Sequence, residues 1–149
     1  MVASLVLLAL AGCASEPQPT LTSTQAASRL DPLFGELRSA LEDAYPAMPW
    51  ELENDHVLVM QSDYCGYWIG RVGTANFSEE QKEDVLKLMA PLLEEAGFPE
   101  LDYIEPSDGV PYRPAYLSEL DSARVRVSFE NPGLGVSVFS DVTDQPCED

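Results

Sequence analysis

The chain holds one histidine, eight cationic side chains and three cysteines in 149 residues, and each shortage removes a class of function. With His56 as the sole imidazole and no C-x-x-C pair, the ligand sets of zinc sites have nothing to draw on. Eight Lys and Arg against 26 Asp and Glu leave a formal charge of −18, a field that repels nucleic acid and anionic head groups. The nine glycines form neither a phosphate loop nor a dinucleotide fingerprint. Gly135-Val136-Ser137-Val138 continues into Phe139 instead of the closing glycine of a serine nucleophile elbow. The longest hydrophobic run, Val2 to Ala11, is about ten residues, far short of the roughly 20 that span a bilayer. These absences lead us to expect no metal, no cofactor, no nucleic-acid partner and no transmembrane helix.

What is present begins with that short run. An apolar content of 45% is enough to build a core, and the length suits one domain. The run ends in Leu10-Ala11-Gly12-Cys13, which resembles the lipobox of bacterial lipoproteins at all four positions. The resemblance implies a signal peptide over residues 1–12, cleavage between Gly12 and Cys13, and acyl chains on the Cys13 thiol that hold the protein on the extracytoplasmic face of the cell membrane. Two such chains suffice for stable anchoring. "MVAS" lacks the Lys or Arg of a signal leader, so the true start is expected upstream of Met1. The flank "ASEPQPTLTSTQAAS" is polar and rich in Pro, Ser and Thr, which reads as a flexible tether over residues 13–27 ahead of a domain at 28–149.

With Cys13 assigned to lipid, Cys65 and Cys147 remain as an even pair in a compartment that permits disulfides. A bridge between them would close a loop of about 80 residues, for which loop entropy alone suggests roughly 4 to 5 kcal/mol. It would also pin a C-terminus that otherwise frays.

Along the domain, Leu30, Leu33, Phe34, Leu37, Leu41 and Tyr45 recur at helical spacing, which predicts a first helix over about 29–45 with Ser28 as its N-cap, Pro32 in its first turn and Pro46 as its stop. "PAMPWELEND" reads as a loop. "HVLVMQS" and "YWIGRV" read as strands joined by a "DYCG" turn that holds Cys65. Ser78 and Gln81 form a capping box for a second helix that ends at Gly97, with Pro91 awkward inside it. "LDYIEP" is a third strand, and "ARVRVSF" and "LGVSVFSDV" flank Asn131-Pro132-Gly133 as a hairpin. The order predicts an α+β domain, a mainly antiparallel sheet of about five strands with two helices packed on one face. This layout, with Cys65 near Trp68 and with Pro146-Cys147 at the end, resembles small lipoproteins of high-GC Gram-positive bacteria, a group that brings no activity to transfer.

For chemistry, Glu51, Glu53, Asp55 and His56 form the densest polar cluster. They are not an EF-hand, because position six would be His56 and position twelve Ser62. The stretch from Glu105 to Ser122 is a long Pro-rich connection whose Tyr112, Arg113 and Tyr116 suit a recognition surface, unless the tyrosines fold back over the sheet edge. The expectation is a non-catalytic binding or envelope-associated module whose partner is a wall component or an envelope protein. The alternative is a wall-acting hydrolase using paired carboxylates.

Overall fold

A computed structural model describes residues 20–54, 56–60, 65–102, 114–129 and 133–145. Cys13, Tyr112, Arg113, Asp55 and Cys147, the leader and most of the tether lie outside the described residues. So does the side chain of Cys65, whose backbone begins a strand.

The architecture is α+β, with two helices against an antiparallel sheet. Helix α1 spans Ser23–Ala44 and α2 spans Lys82–Glu95 behind a single 3-10 turn at Glu79–Gln81. The strands are β1 (Glu51–Glu53), β2 (Val57–Met60), β3 (Cys65–Thr74), β4 (Glu100–Asp102), β5 (Ala115–Leu117), β6 (Ala123–Phe129) and β7 (Leu134–Ser140). Their order is β1-β3-β7-β6-β5-β4, with β2 also on β3. Because β1 pairs with Arg71–Gly73 and β2 with Cys65–Trp68, the two short strands share one edge.

Helix α1 starts earlier than the sequence suggests. Thr22, not Ser28, is the N-cap: its hydroxyl accepts from the Gln25 N–H at 3.3 Å and its own N–H donates to Gln25 Oε1 at 2.9 Å, a reciprocal capping box. Asp144 adds a second cap from the far end of the chain, accepting from the Ser23 N–H and hydroxyl at 2.7 Å each. Residues 23–27, expected in the tether, are therefore helical, and Pro32 lies mid-helix, where the Ser28 carbonyl loses its partner. Thr143 N–H donates to Leu21 O at 2.9 Å, so the two ends of the described chain are stapled together.

The second helix ends as its glycine foretells. Gly97 has φ +87°, Phe98 N–H donates to Leu93 O at 2.8 Å and Gly97 N–H to Glu94 O at 3.1 Å, which is a Schellman motif with Phe98 and Leu93 both buried.

Alternation assigns the faces. Val72, Val136 and Val127 form one cross-strand row, and Gly70, Val138 and Val125 the next, on the helix side. Phe34 of α1 fills the place that a side chain at residue 70 would take: a Cβ there would sit 2.5 Å from Phe34 Cε1. Leu30, Leu37 and Leu41 of α1 and Val85, Met89 and Leu93 of α2 are fully buried against these rows. The opposite face carries rows such as Arg71–Ser137–Arg126 and Trp68–Phe139–Arg124.

Three further expectations change. Glu51–Glu53 is a strand and not loop, held by its pairing with β3. Cys65 opens β3 rather than sitting in a turn. The Glu105–Ser122 connection contains β5, paired with both β4 and β6.

Candidate functional site

The helix layer holds a groove of about 290 Å³ between α1 and α2, lined by Arg29, Leu30, Leu33, Glu36, Leu92 and Glu95 with Pro32 and Ala96 at its rim. It exists because each helix turns its apolar stripe toward the sheet while Leu30 and Leu33 on one side and Leu92 on the other still border the seam. Pro32 of α1 stands at the rim, and α2 carries its own proline, Pro91, one residue before Leu92.

One arginine fixes the end of this groove. Arg29 Nε donates to Asp121 Oδ2 at 3.1 Å, and Nη2 donates to Ala96 O at 3.3 Å and to Ser118 Oγ at 3.2 Å. Its guanidinium stands 5.5 Å from the centre of the Phe98 ring, and Nη1 is buried without a hydrogen-bond partner. Asp121, with a side chain only 4% exposed, also accepts from the Ala123 N–H at 2.9 Å, an Asx turn that leads into β6. A single side chain thus ties α1 to the end of α2 and to the turn before β6.

The electrostatics follow. Asp121 neutralises Arg29, so Glu36 and Glu95, both exposed, set the charge of the groove. Leu120, 70% exposed, lies beside the Arg29 end, where a Cβ on Gly97 would meet it at 3.0 Å. The site therefore offers a narrow apolar strip at Leu92 over a buried leucine floor, an acidic rim and an exposed leucine at one end. It suits a ligand with an apolar body and positive charge.

The sequence-predicted residues fall elsewhere. Tyr116 lies on β5, 5% exposed and part of the core, where it offers no area to a partner. His56 turns away from Glu51 and Glu53: its Nε2 is 2.7 Å from Asp31 Oδ1 on α1, and its φ of +48° breaks the edge between β1 and β2. Among the described residues no three His, Cys, Asp or Glu side chains gather as metal ligands, and no helix is long and apolar enough to cross a membrane. Away from the groove, hydrogen bonds from the Ser23 hydroxyl and N–H hold the Asp144 carboxyl below its usual range, while burial and then Asp84 push the Tyr45 phenol up.

The Arg29 clamp escapes sequence reading because its acceptors come from distant segments. Only the Asp121-Ser122 pair at the start of "ARVRVSF" hints at a turn. No family model matches this chain, and neither a curated protein nor a solved structure is similar to it.

Proposed function

We propose that this chain is a non-catalytic binding module, held on the extracytoplasmic face of a cell membrane through acylated Cys13, and that its α1–α2 groove receives a basic amphipathic segment of an envelope or wall-associated protein. The observation that carries the reading is the groove itself: half-buried Leu92 and exposed Leu120 beside the exposed carboxylates Glu36 and Glu95, over a floor of buried Leu30 and Leu33, with its one cation already neutralised by Asp121. A helix laid along such a seam places its apolar residues on Leu92 and Leu120 and its Lys or Arg on the glutamates. The formal charge of −18 speeds the approach of a cationic partner.

Two further features support the anchored reading. The lipobox match puts the attachment point just ahead of Thr22, where the N-cap and Asp144 hold the start of α1 firmly. Cys65 opens β3 at the end of the sheet where β7 finishes, as the pairing of Tyr67 with Ser140 requires. That is the end from which the chain continues toward Cys147, which favours a Cys65–Cys147 bridge.

Glu36 and Glu95 also supply the hydrolase alternative with two carboxylates in one groove. A glycosidase acid needs its proton held near neutral pH by burial or by a close like charge. Both glutamates are exposed, which favours docking over catalysis.

The test is fluorescence anisotropy with a labelled Lys/Leu amphipathic helix and with a scrambled peptide of equal charge. The amphipathic peptide should bind at least about tenfold tighter than the scrambled one, and Glu36→Lys with Glu95→Lys should remove that preference. Equal binding of both peptides would reduce the groove to a patch of general acidity. Release of sugar fragments from wall polymer by the unaltered protein, lost in Glu36→Gln or Glu95→Gln, would establish the hydrolase instead.

A further inference from the structure

On the other side of the sheet, where β1, β3 and β7 meet, a second and smaller pocket of about 130 Å³ is lined by Glu51, Arg71, Gly73, Thr74, Gly133 and Gly135 among others. Gly73 and Gly135 face each other in register, and the Arg71 guanidinium lies over both. A Cβ at residue 135 would stand 3.0 Å from Arg71 Nη2 and 3.1 Å from Nε, and one at residue 73 would stand 3.2 Å from Nη2. Two bare backbone positions therefore let the guanidinium lie close against the sheet, its Nε and Nη2 beside residue 135 and its Nη1 toward Glu53, with planar donors suited to a carboxylate.

The guanidinium has a weak partner. Glu53 Oε1 is 4.0 Å from Nη1, and the Glu53 side chain is 52% exposed. Glu51, two residues earlier on β1 and so on the same face, lines the pocket itself. A lone anion meets Glu51, Glu53 and the −18 of the whole chain, whereas a lone cation meets Arg71. A ligand carrying both charges a few ångströms apart satisfies each.

We propose that this corner binds a small free α-amino acid, its carboxylate on the Arg71 guanidinium and its ammonium on Glu51. At about 130 Å³ the pocket is small, which favours a ligand of the size of alanine. The inference is independent of the α1–α2 groove, which uses none of these residues.

The experiment is an NMR titration of the full chain with L-alanine, followed by acetate and methylammonium as single-charge probes. L-Alanine should give saturable shifts at the Arg71 Nε–H and the Gly73 and Gly135 amides, while acetate and methylammonium each bind at least about tenfold more weakly. Arg71→Ala and Glu51→Gln should each weaken alanine binding about tenfold or more. Gly135→Ala, which lifts the guanidinium without removing it, should weaken binding with the melting temperature nearly unchanged; if it unfolds, Arg71→Lys takes its place. Absence of saturable shifts at Gly73 and Gly135 up to about 50 mM alanine, binding of acetate as tight as alanine, or alanine binding that survives Arg71→Ala would each overturn the proposal.

Discussion

Replacing Arg29 by Met tests whether one side chain holds the groove in shape. The substitution keeps most of the apolar stem over Phe98 and deletes the donors to Asp121, Ala96 and Ser118. Asp121, 4% exposed, then keeps one hydrogen bond, from Ala123, and a charge with no counterion. Breaking a buried pair from one side costs about 3 to 5 kcal/mol, and the surviving Ala123 bond with Arg29's own 24% exposure argues for the lower end, about 3 kcal/mol. In a domain of this size that is a fall of about 10 °C in Tm. Asp121→Asn alone keeps the acceptor for Ala123 but strands the guanidinium, so about 2 kcal/mol is expected. The double variant should cost less than the sum by about 1 to 2 kcal/mol, because the two partners leave together. Urea unfolding followed by the fluorescence of Trp50 and Trp68 supplies all the values of the cycle. A loss under about 1 kcal/mol for Arg29→Met, or additive single effects, would refute the clamp, since an exposed pair gives no more than that.

Other perturbations reach the sheet, the helix cap, the anchor and the cysteine pair. Gly70→Ala pushes a methyl against the Phe34 ring, 2.5 Å from Cε1, and should cost about 1 to 3 kcal/mol by overpacking; Phe34→Leu in the same chain should recover part of the loss, as read by thermal melting. Asp144 is held below the ordinary carboxylate range by Ser23, so its contribution is present above that range and fades as pH falls through the depressed value; below about pH 4 the unaltered chain should lose stability faster than Asp144→Asn, and parallel acid titrations would argue against the cap. Cys13→Ala should abolish incorporation of a fatty-acid analogue and release the protein from membranes, and retained label would remove the anchor. Non-reducing peptide mapping of exported protein should recover Cys65 linked to Cys147, and alkylatable thiols at both positions would rule that bridge out.

How far the sequence carries depends on whether a signal is local. Gly97 marks the end of α2 because a left-handed residue there serves a motif written within six residues. The β6–β7 hairpin is legible for the same reason: its alternation and its Gly133 break are adjacent. The start of α1 is ambiguous, since both Thr22 and Ser28 are competent caps. What favours Thr22 is Gln25 nearby and Asp144 from the opposite end of the chain, and only the first of these is visible locally. "ELE" has too little β character to declare a strand, and it becomes one only because β3 offers Arg71–Gly73 as a partner. Tyr116 reads as a loop aromatic but is drawn into the core by β5 pairing on both sides. The groove depends on Arg29 meeting Asp121, Ser118 and Ala96, a long-range coincidence that no periodicity encodes.

The proposed docking of a basic amphipathic partner in the α1–α2 groove is tested most directly at the groove itself. Backbone NMR of the isotope-labelled chain during titration with the Lys/Leu amphipathic helix addresses it residue by residue. The largest saturable shifts should cluster at Leu30, Leu33, Glu36, Leu92, Glu95 and Ala96, and they should vanish with Glu36→Lys and Glu95→Lys. Shifts centred on another surface, or none that saturate, would contradict it.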